Sequence, residues 1–361
     1  MNQHVSMHTQ EDLGAPAIDG SNTPQRPLAP EREQVPDAPA RRGRSLRGVG
    51  YRYGLIGVWI IEIAIFAVLS PHAFFTVGTA TSLLSSQAAL IVLALSVVPT
   101  LAAGEYDLSA AGAMTLAATV VGQLNGVLGL PIGVAVAIGL VAAALVGAIN
   151  ALLVVGVGVQ SIVVTLGMGT FLIGISVWIS NSLTIGGVSP EFGRLLNSPI
   201  IGINASFFVA LLIGVVSWYV YRHTPFGRHV VFIGQNREVA RLSGLHVSRV
   251  RVVCFLSTSV MAGVSGVMVV GIAGGLQPSS LQGLLLPAFA AAFLGSAVFE
   301  PGKVNPMGTI VALLFLATGI NGLVLLGLDA WIRDVFYGAA VVLAVTVSHL
   351  LYRRAQRKNL L

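Results

Sequence analysis

The sequence has little of what a soluble enzyme or a nucleic-acid binder needs. Charged residues are 9% of its 361 positions and hydrophobic residues 55%, more apolar surface than a soluble core of this length buries, so the chain reads as an integral membrane protein. Cys254 is the only cysteine; no internal disulfide is possible, the redox compartment cannot be read, and its place at the start of an apolar run suggests a small buried hydrophobe. There is no phosphate-cradling loop, because Gly302-Lys303 is followed by Val304, and ATP binding of the usual kind is excluded. The histidines show no metal spacing and no nucleophile is paired with a base, so neither a metal, a bound cofactor nor a catalytic residue is expected. No secretory signal precedes the first apolar stretch, which is read as a retained span. The 20 Lys and Arg against 14 Asp and Glu gather at the flanks of apolar runs, which fits membrane topology and argues against nucleic acid.

What is present is a succession of apolar runs. Ten spans are predicted, at about 54–70, 86–103, 108–126, 131–155, 161–180, 205–221, 252–272, 283–299, 306–326 and 332–351, each near the roughly 20 residues that cross the hydrocarbon core. Residues 1–52, with six prolines and no apolar periodicity, read as a disordered cytoplasmic tail ending in Arg41, Arg42, Arg44, Arg47 and Arg52. The membrane domain covers 53–352, and residues 353–361 form a basic cytoplasmic tail. An even number of spans places both tails and the basic loop Arg222–Arg251 on one side, as the excess of Lys and Arg in cytoplasmic segments requires.

The halves resemble each other at a displacement of 171 positions. Ile149-Asn150-Ala151-Leu152 with Gly156 matches Ile320-Asn321-Gly322-Leu323 with Gly327, and Ala103-Gly104 matches Gly274-Gly275. Five spans per copy is odd, so the second copy crosses in the opposite sense. The expected fold is all-α and polytopic, about ten transmembrane helices in two inverted five-helix repeats; chance similarity between Gly- and Leu-rich spans is the alternative.

The one long polar interruption is Arg222–Arg251, with six arginines and the single acid Glu238. Asn236 is a candidate N-cap, Glu238 sits in the first turn where the helix dipole favours negative charge, and Gly244 can close the helix. A two-turn helix is predicted between them. Val239, Ala240 and Leu242 give it a partly apolar surface, and Arg237 and Arg241 share a charged one.

The run from Phe226 to Val252, and above all Ala240-Arg241-Leu242-Ser243-Gly244 followed by Val247 and Arg249-Val250, resembles the cytoplasmic signature loop of the ribose-type sugar permeases, the inner-membrane subunits of bacterial ABC importers. The resemblance implies that Asn236, Arg237, Glu238, Ala240, Arg241, Leu242, Ser243 and Gly244 form a coupling helix docking on a separate ATP-binding subunit, which would use the ATP and Mg. It further implies a periplasmic sugar-binding protein, a second permease copy or close paralogue, a lipid surround and a bacterial inner membrane. The implied cargo is a ribose-like pentose, hexose or polyol. A basic loop that only sets topology would explain the arginines but not the capped helix.

Asp107-Leu108-Ser109 matches a Gly-Ile-Asp-Leu-Ser motif of the family, while Glu105-Tyr106 departs from it. Ionisable groups at such a place tend to face a path or a partner, yet Asp107 could equally cap the third span. Gln277-Pro278 with Ser279 resembles another family string, and Leu284-Leu285-Leu286-Pro287 lacks the acid the family often carries. Gly104, Asp107, Ser109, Asn150, Thr165, Gln277 and Asn321 are the candidate translocation path; for the asparagines, interhelical glue is the competing role. Glu62, mid-way along the first span, is assigned no role. Two other classes stay open: an ion-coupled secondary transporter using Glu62, Glu105 or Asp107, and a branched-chain amino acid permease of the same superfamily.

Overall fold

The computed structural model describes residues 46–300 and 302–358. The expected N-terminal tail lies outside them as far as residue 45, as do residues 359–361. The described chain is almost wholly helical. Apart from short helices at Pro71–Phe74 and Pro190–Asn197, it comprises in order α1 (Leu46–Leu69), α2 (Val77–Ala102), α3 (Ala110–Val121, continued by a π turn Gly122–Val127), α4 (Ile132–Val157), α5 (Ser161–Ile179), α6 (Ala205–His223), α7 (Pro225–Gln235), α8 (Arg237–Leu242), α9 (Val247–Ala273), α10 (Pro278–Gly295), α11 (Pro306–Leu325) and α12 (Trp331–Lys358).

Seven of these, α2, α4, α5, α6, α9, α10 and α11, are long and apolar enough to cross a membrane. The other expected spans also fall on helices. α1 is apolar over Tyr53–Leu69, α3 reaches its length only with the π turn, and α12 runs on to Lys358, through residues expected to be tail but made of helix formers such as Arg353, Ala355 and Gln356.

Burial sorts the helices into an inner and an outer group. The most apolar windows of α2, α9 and α11 are 61%, 56% and 61% buried, whereas those of α4, α5 and α6 are 28%, 22% and 22% buried. In water such exposed apolar faces would be untenable; in a bilayer they meet lipid. α9 is the central post, packed on α2, α3 and α4. Small residues set the approach: a Cβ on Gly266 would collide with the carbonyl oxygen of Met114, and one on Gly147 would lie 2.8 Å from that of Phe255. Without a hydrophobic drive between helices in lipid, such contacts hold them together.

α2 differs from the expected span. It starts earlier, at Val77, and is interrupted at Gln87 and Val97. Its middle piece, Ala88–Ser96, is buried on every side, as a helix apolar all round must be. α9 ends because Gly274 takes a left-handed φ of +68°; Pro278 then starts a 3-10 turn, so the glycine ends one helix and the proline opens the next. Opposite this turn, Ile185 and Leu276 exchange backbone hydrogen bonds of 2.9 and 2.8 Å. A hairpin, β1 (Pro199–Ile200) with β2 (Ile203–Asn204), closes through Ile201 and Gly202, both at positive φ, the conformation a type I′ turn needs.

Candidate functional site

The basic loop folds into two helices rather than one. α7 begins at Thr224, whose hydroxyl accepts from the Gly227 amide at 3.4 Å, with Pro225 at the first helical position. It buries Gly227, Val230 and Ile233, three residues apart, against the rest of the protein. Sequence reasoning missed this helix, although Thr-Pro is a start signal.

α8 follows at once, over Arg237–Leu242. The Asn236 side chain accepts from the Val239 amide at 3.1 Å. At the other end Gly244 sits at φ +80°, and the Leu245 amide donates to the Ala240 carbonyl at 3.2 Å. Both caps stand where the residue types suggested. Ala240 is fully buried, whereas Val239 and Leu242 are 45% and 80% exposed. The helix therefore presents to solvent two apolar side chains that nothing in the described chain covers, beside exposed Arg237, Glu238, Arg241, Ser243 and Gly244.

A carboxylate fixes this pair of helices to the bundle. Glu105, in the linker between α2 and α3, accepts through Oε1 from Arg237 at 2.5 Å and from Arg251 at 2.8 and 2.6 Å. Its side chain is 6% exposed and that of Arg251 12%, so the pairing between Glu105 and Arg251 is largely sheltered from water. Next to it the backbones of Gly104 and Gly234 touch. Gly104 has φ +76°, and a Cβ on it would stand 3.5 Å from the Gly234 carbonyl oxygen; a Cβ on Gly234 would collide with the Ala102 carbonyl. Glycine is required here for close approach and, at Gly104, for its backbone conformation.

Four of the seven expected path residues meet just beyond Glu105. Asp107 Oδ1 accepts from the Ser109 amide at 3.0 Å and from its hydroxyl at 2.6 Å, and Asn150 Nδ2 donates to Ser109 Oγ at 2.7 Å. The Leu108 amide donates to Thr165 Oγ1 at 2.9 Å. Asp107, Ser109, Asn150 and Thr165 are wholly buried and do not line the cavity described below. Asp107 forms a local turn to the residue two positions on, ordering the entry to α3 without capping deeper amides. Burial pushes its carboxyl up to about 6, opposed by the two Ser109 hydrogen bonds. Gly104 stands apart from this network, against Gly234.

Gln277 and Asn321 lie elsewhere. Gln277 is exposed before the 3-10 turn. Asn321 lines a cavity of about 560 Å³ with Ser82, Ser86, Gln87, Ser280 and Tyr337, none of which the sequence singled out. α11 starts near the basic loop, since Glu300 just before it pairs with Arg222 at 3.1 Å. Fifteen residues further on, Asn321 is about 22 Å along the axis at 1.5 Å per residue, so this cavity lies toward the opposite face. Glu62 packs against Gly319 of α11, and its Oε2 is buried without a partner. Trp59, also on α1, donates to Thr318 at 3.1 Å.

Comparison with known proteins finds relatives of this chain. The family model described as branched-chain amino acid transport system / permease component matches residues 79–345. The D-allose transport system permease protein of Escherichia coli (strain K12) is 26% identical over 300 residues, 83% of this chain and 92% of that one. The ribose import permease protein of the same strain is 27% identical over 294 residues, 80% and 91% of the two chains. The autoinducer 2 import system permease protein of Yersinia pestis (strain Pestoides F) is 28% identical over 326 residues, 87% and 97%. No solved structure matches significantly.

Proposed function

The chain belongs to the branched-chain amino acid transport system / permease component family, and from that premise we propose that it is the membrane-spanning permease of an ABC importer carrying a monosaccharide or similar polyol. The observation that carries this reading is α8: capped at both ends, tied to the bundle through Arg237 and Glu105, and exposing Val239 and Leu242. That is the shape of a handle for a separate ATP-hydrolysing subunit. A topology signal would need the arginines only.

In this reading ATP-driven closure of the partner moves α7 and α8. Glu105 passes that motion to the linker joining α2 and α3, and the helices rock between states open to either side. A periplasmic sugar-binding protein delivers the solute, and a second permease copy completes the path. Ten crossings, with both termini cytoplasmic, put Glu105 and the basic loop on the same side, in keeping with their contact.

The inverted repeat is supported by positions as well as identities. Displaced by 171 residues, Ser161 at the start of α5 falls on Ile332, next to the start of α12 at Trp331, and Gly104 falls on Gly275, beside the break after α9. The two breaks stand at opposite faces, Gly104 by the basic loop and Gly275 by the Ile185 bridge, as an axis in the membrane plane requires.

Ion coupling through Glu105 fits less well, because two guanidiniums already engage that carboxylate. An amino acid cargo, which the family description names, is a matter of the cavity chemistry taken up below. The test is uptake of labelled D-ribose and D-allose in cells carrying the whole importer. Arg241→Glu with Gly244→Val is expected to abolish ATP-dependent uptake while leaving the chain inserted; undiminished uptake would refute the assignment.

A further inference from the structure

The cavity beside Asn321 has a composition of its own. Its volume, about 560 Å³, is within the roughly 300–1,000 Å³ usual for small-molecule sites. Ser86, Gln87, Ser280 and Asn321 supply hydroxyls and amides, groups that both donate and accept hydrogen bonds. Gln87 sits at the break in α2 and donates to Ser86 Oγ at 3.1 Å, while Asn321 Nδ2 is buried without a partner. Non-helical backbone at membrane depth is tolerated where it lines such a cavity.

The charges on the lining cancel. Arg333 and Asp334 are adjacent, exposed and of opposite sign. An anionic solute would need a dedicated cation deeper in, and the other lining residues are uncharged; an unpaired buried charge is costly. Tyr337 and Leu284 offer apolar wall to a C–H face. Toward the basic loop α2 continues as Ala88–Ser96, buried on every side, and Ala89 and Leu90 of that piece line the cavity.

We infer that this cavity is the station at which a neutral, polyhydroxylated solute of monosaccharide size enters the permease from the face opposite the basic loop, its hydroxyls met by Ser86, Gln87, Ser280 and Asn321. The inference rests on the importer reading and deepens it by naming the entry site and the residues that meet the solute there. A branched-chain amino acid is the competing solute, with its ammonium and carboxylate on Asp334 and Arg333.

Cysteine accessibility tests it directly, because Cys254 is the only native cysteine and is buried. In a Cys254→Ala background, Ser86→Cys, Asn321→Cys and, outside the cavity, Ser182→Cys are treated in intact spheroplasts with a membrane-impermeant thiol reagent, with D-ribose, D-allose or L-leucine as probes. All three are expected to react. At about three times its Kd a protecting sugar slows labelling at Ser86→Cys and Asn321→Cys about fourfold, since the free fraction is the inverse of one plus [L]/Kd; Ser182→Cys is unchanged and leucine is without effect. If either cavity variant fails to insert, Ser280→Cys, on another element, reports the same space. Failure of both cavity cysteines to label, no protection by either sugar at any concentration, equal slowing at Ser182→Cys, or protection by leucine alone would overturn the inference. Loss of protection while ATP-dependent uptake persists would sink the cavity assignment and leave the importer reading standing.

Discussion

Arg237 opens α8 and Glu105 stands 132 positions earlier, yet their side chains meet at 2.5 Å. The contact ties the exposed helix to the joint between α2 and α3, so a pull on one is felt by the other. The same carboxylate oxygen also takes Arg251 at the start of α9, bringing three segments to one atom.

Removing the acid leaves the sheltered Arg251 unpaired. Glu105→Ala is expected to cost about 3–5 kcal/mol, the usual penalty for stripping one partner from a buried pair. Arg237→Ala should cost under about 1 kcal/mol, since that side chain is 48% exposed and exposed pairs contribute little. Thermal unfolding of the purified chain checks the order of the two. In ATP-dependent uptake both should be impaired, because each breaks the tie to α8.

The glycine contact should be as demanding as the ion pair. Gly234→Ala puts a methyl into the Ala102 carbonyl, and overpacking of this kind costs about 1–3 kcal/mol. Gly244→Ala meets no atom within 4 Å; its cost is the left-handed backbone alone, about 1–2 kcal/mol. Melting temperatures of the two variants, with uptake measured alongside, separate crowding from backbone strain.

Asp107 makes stability depend on pH in an unusual direction. Its folded value of about 6 lies above the 3.8 of a free aspartate, so between these values the folded state holds more protons than the unfolded one. Its contribution is fully present below about pH 4, declines as pH rises and is lost above about pH 6. Asp107→Asn, which keeps an acceptor for Ser109, removes this decline. Unfolding followed from pH 4 to pH 7 should show the wild type losing stability relative to the variant; parallel curves would contradict the burial argument.

Much of this was legible in the residues, and the limits have physical causes. The caps of α8 are local chemistry, and Asn236 and Gly244 announce them. Thr224-Pro225 announces α7 equally well, but its buried stripe of Gly227, Val230 and Ile233 lies among basic residues whose charge is the stronger sequence signal. The partner of Glu105 was not legible, because a pairing across 132 positions leaves no trace in spacing. The break at Gln87 has neither proline nor glycine to signal it, so the cavity beside it went unseen. Asp107, Ser109, Asn150 and Thr165 stand out because polar groups in apolar spans do; the structure joins the first three by hydrogen bonds and sets Thr165 on the Leu108 amide between them, while Gln277 and Asn321 stand apart.

The central claim is that α8 is gripped by a separate ATP-hydrolysing subunit. Leu242 is 80% exposed, so Leu242→Asp combined with Arg241→Glu changes the outer surface of α8 without emptying the core. The most direct measurement is the ATPase activity that co-purifies with the chain from its native membranes. Wild type is expected to carry it and the double variant to lose it, with both equally inserted and equally stable to heat. Retention of full ATPase activity by the double variant, or uphill accumulation of D-ribose or D-allose by the chain alone in liposomes under a proton or sodium gradient, would contradict the claim.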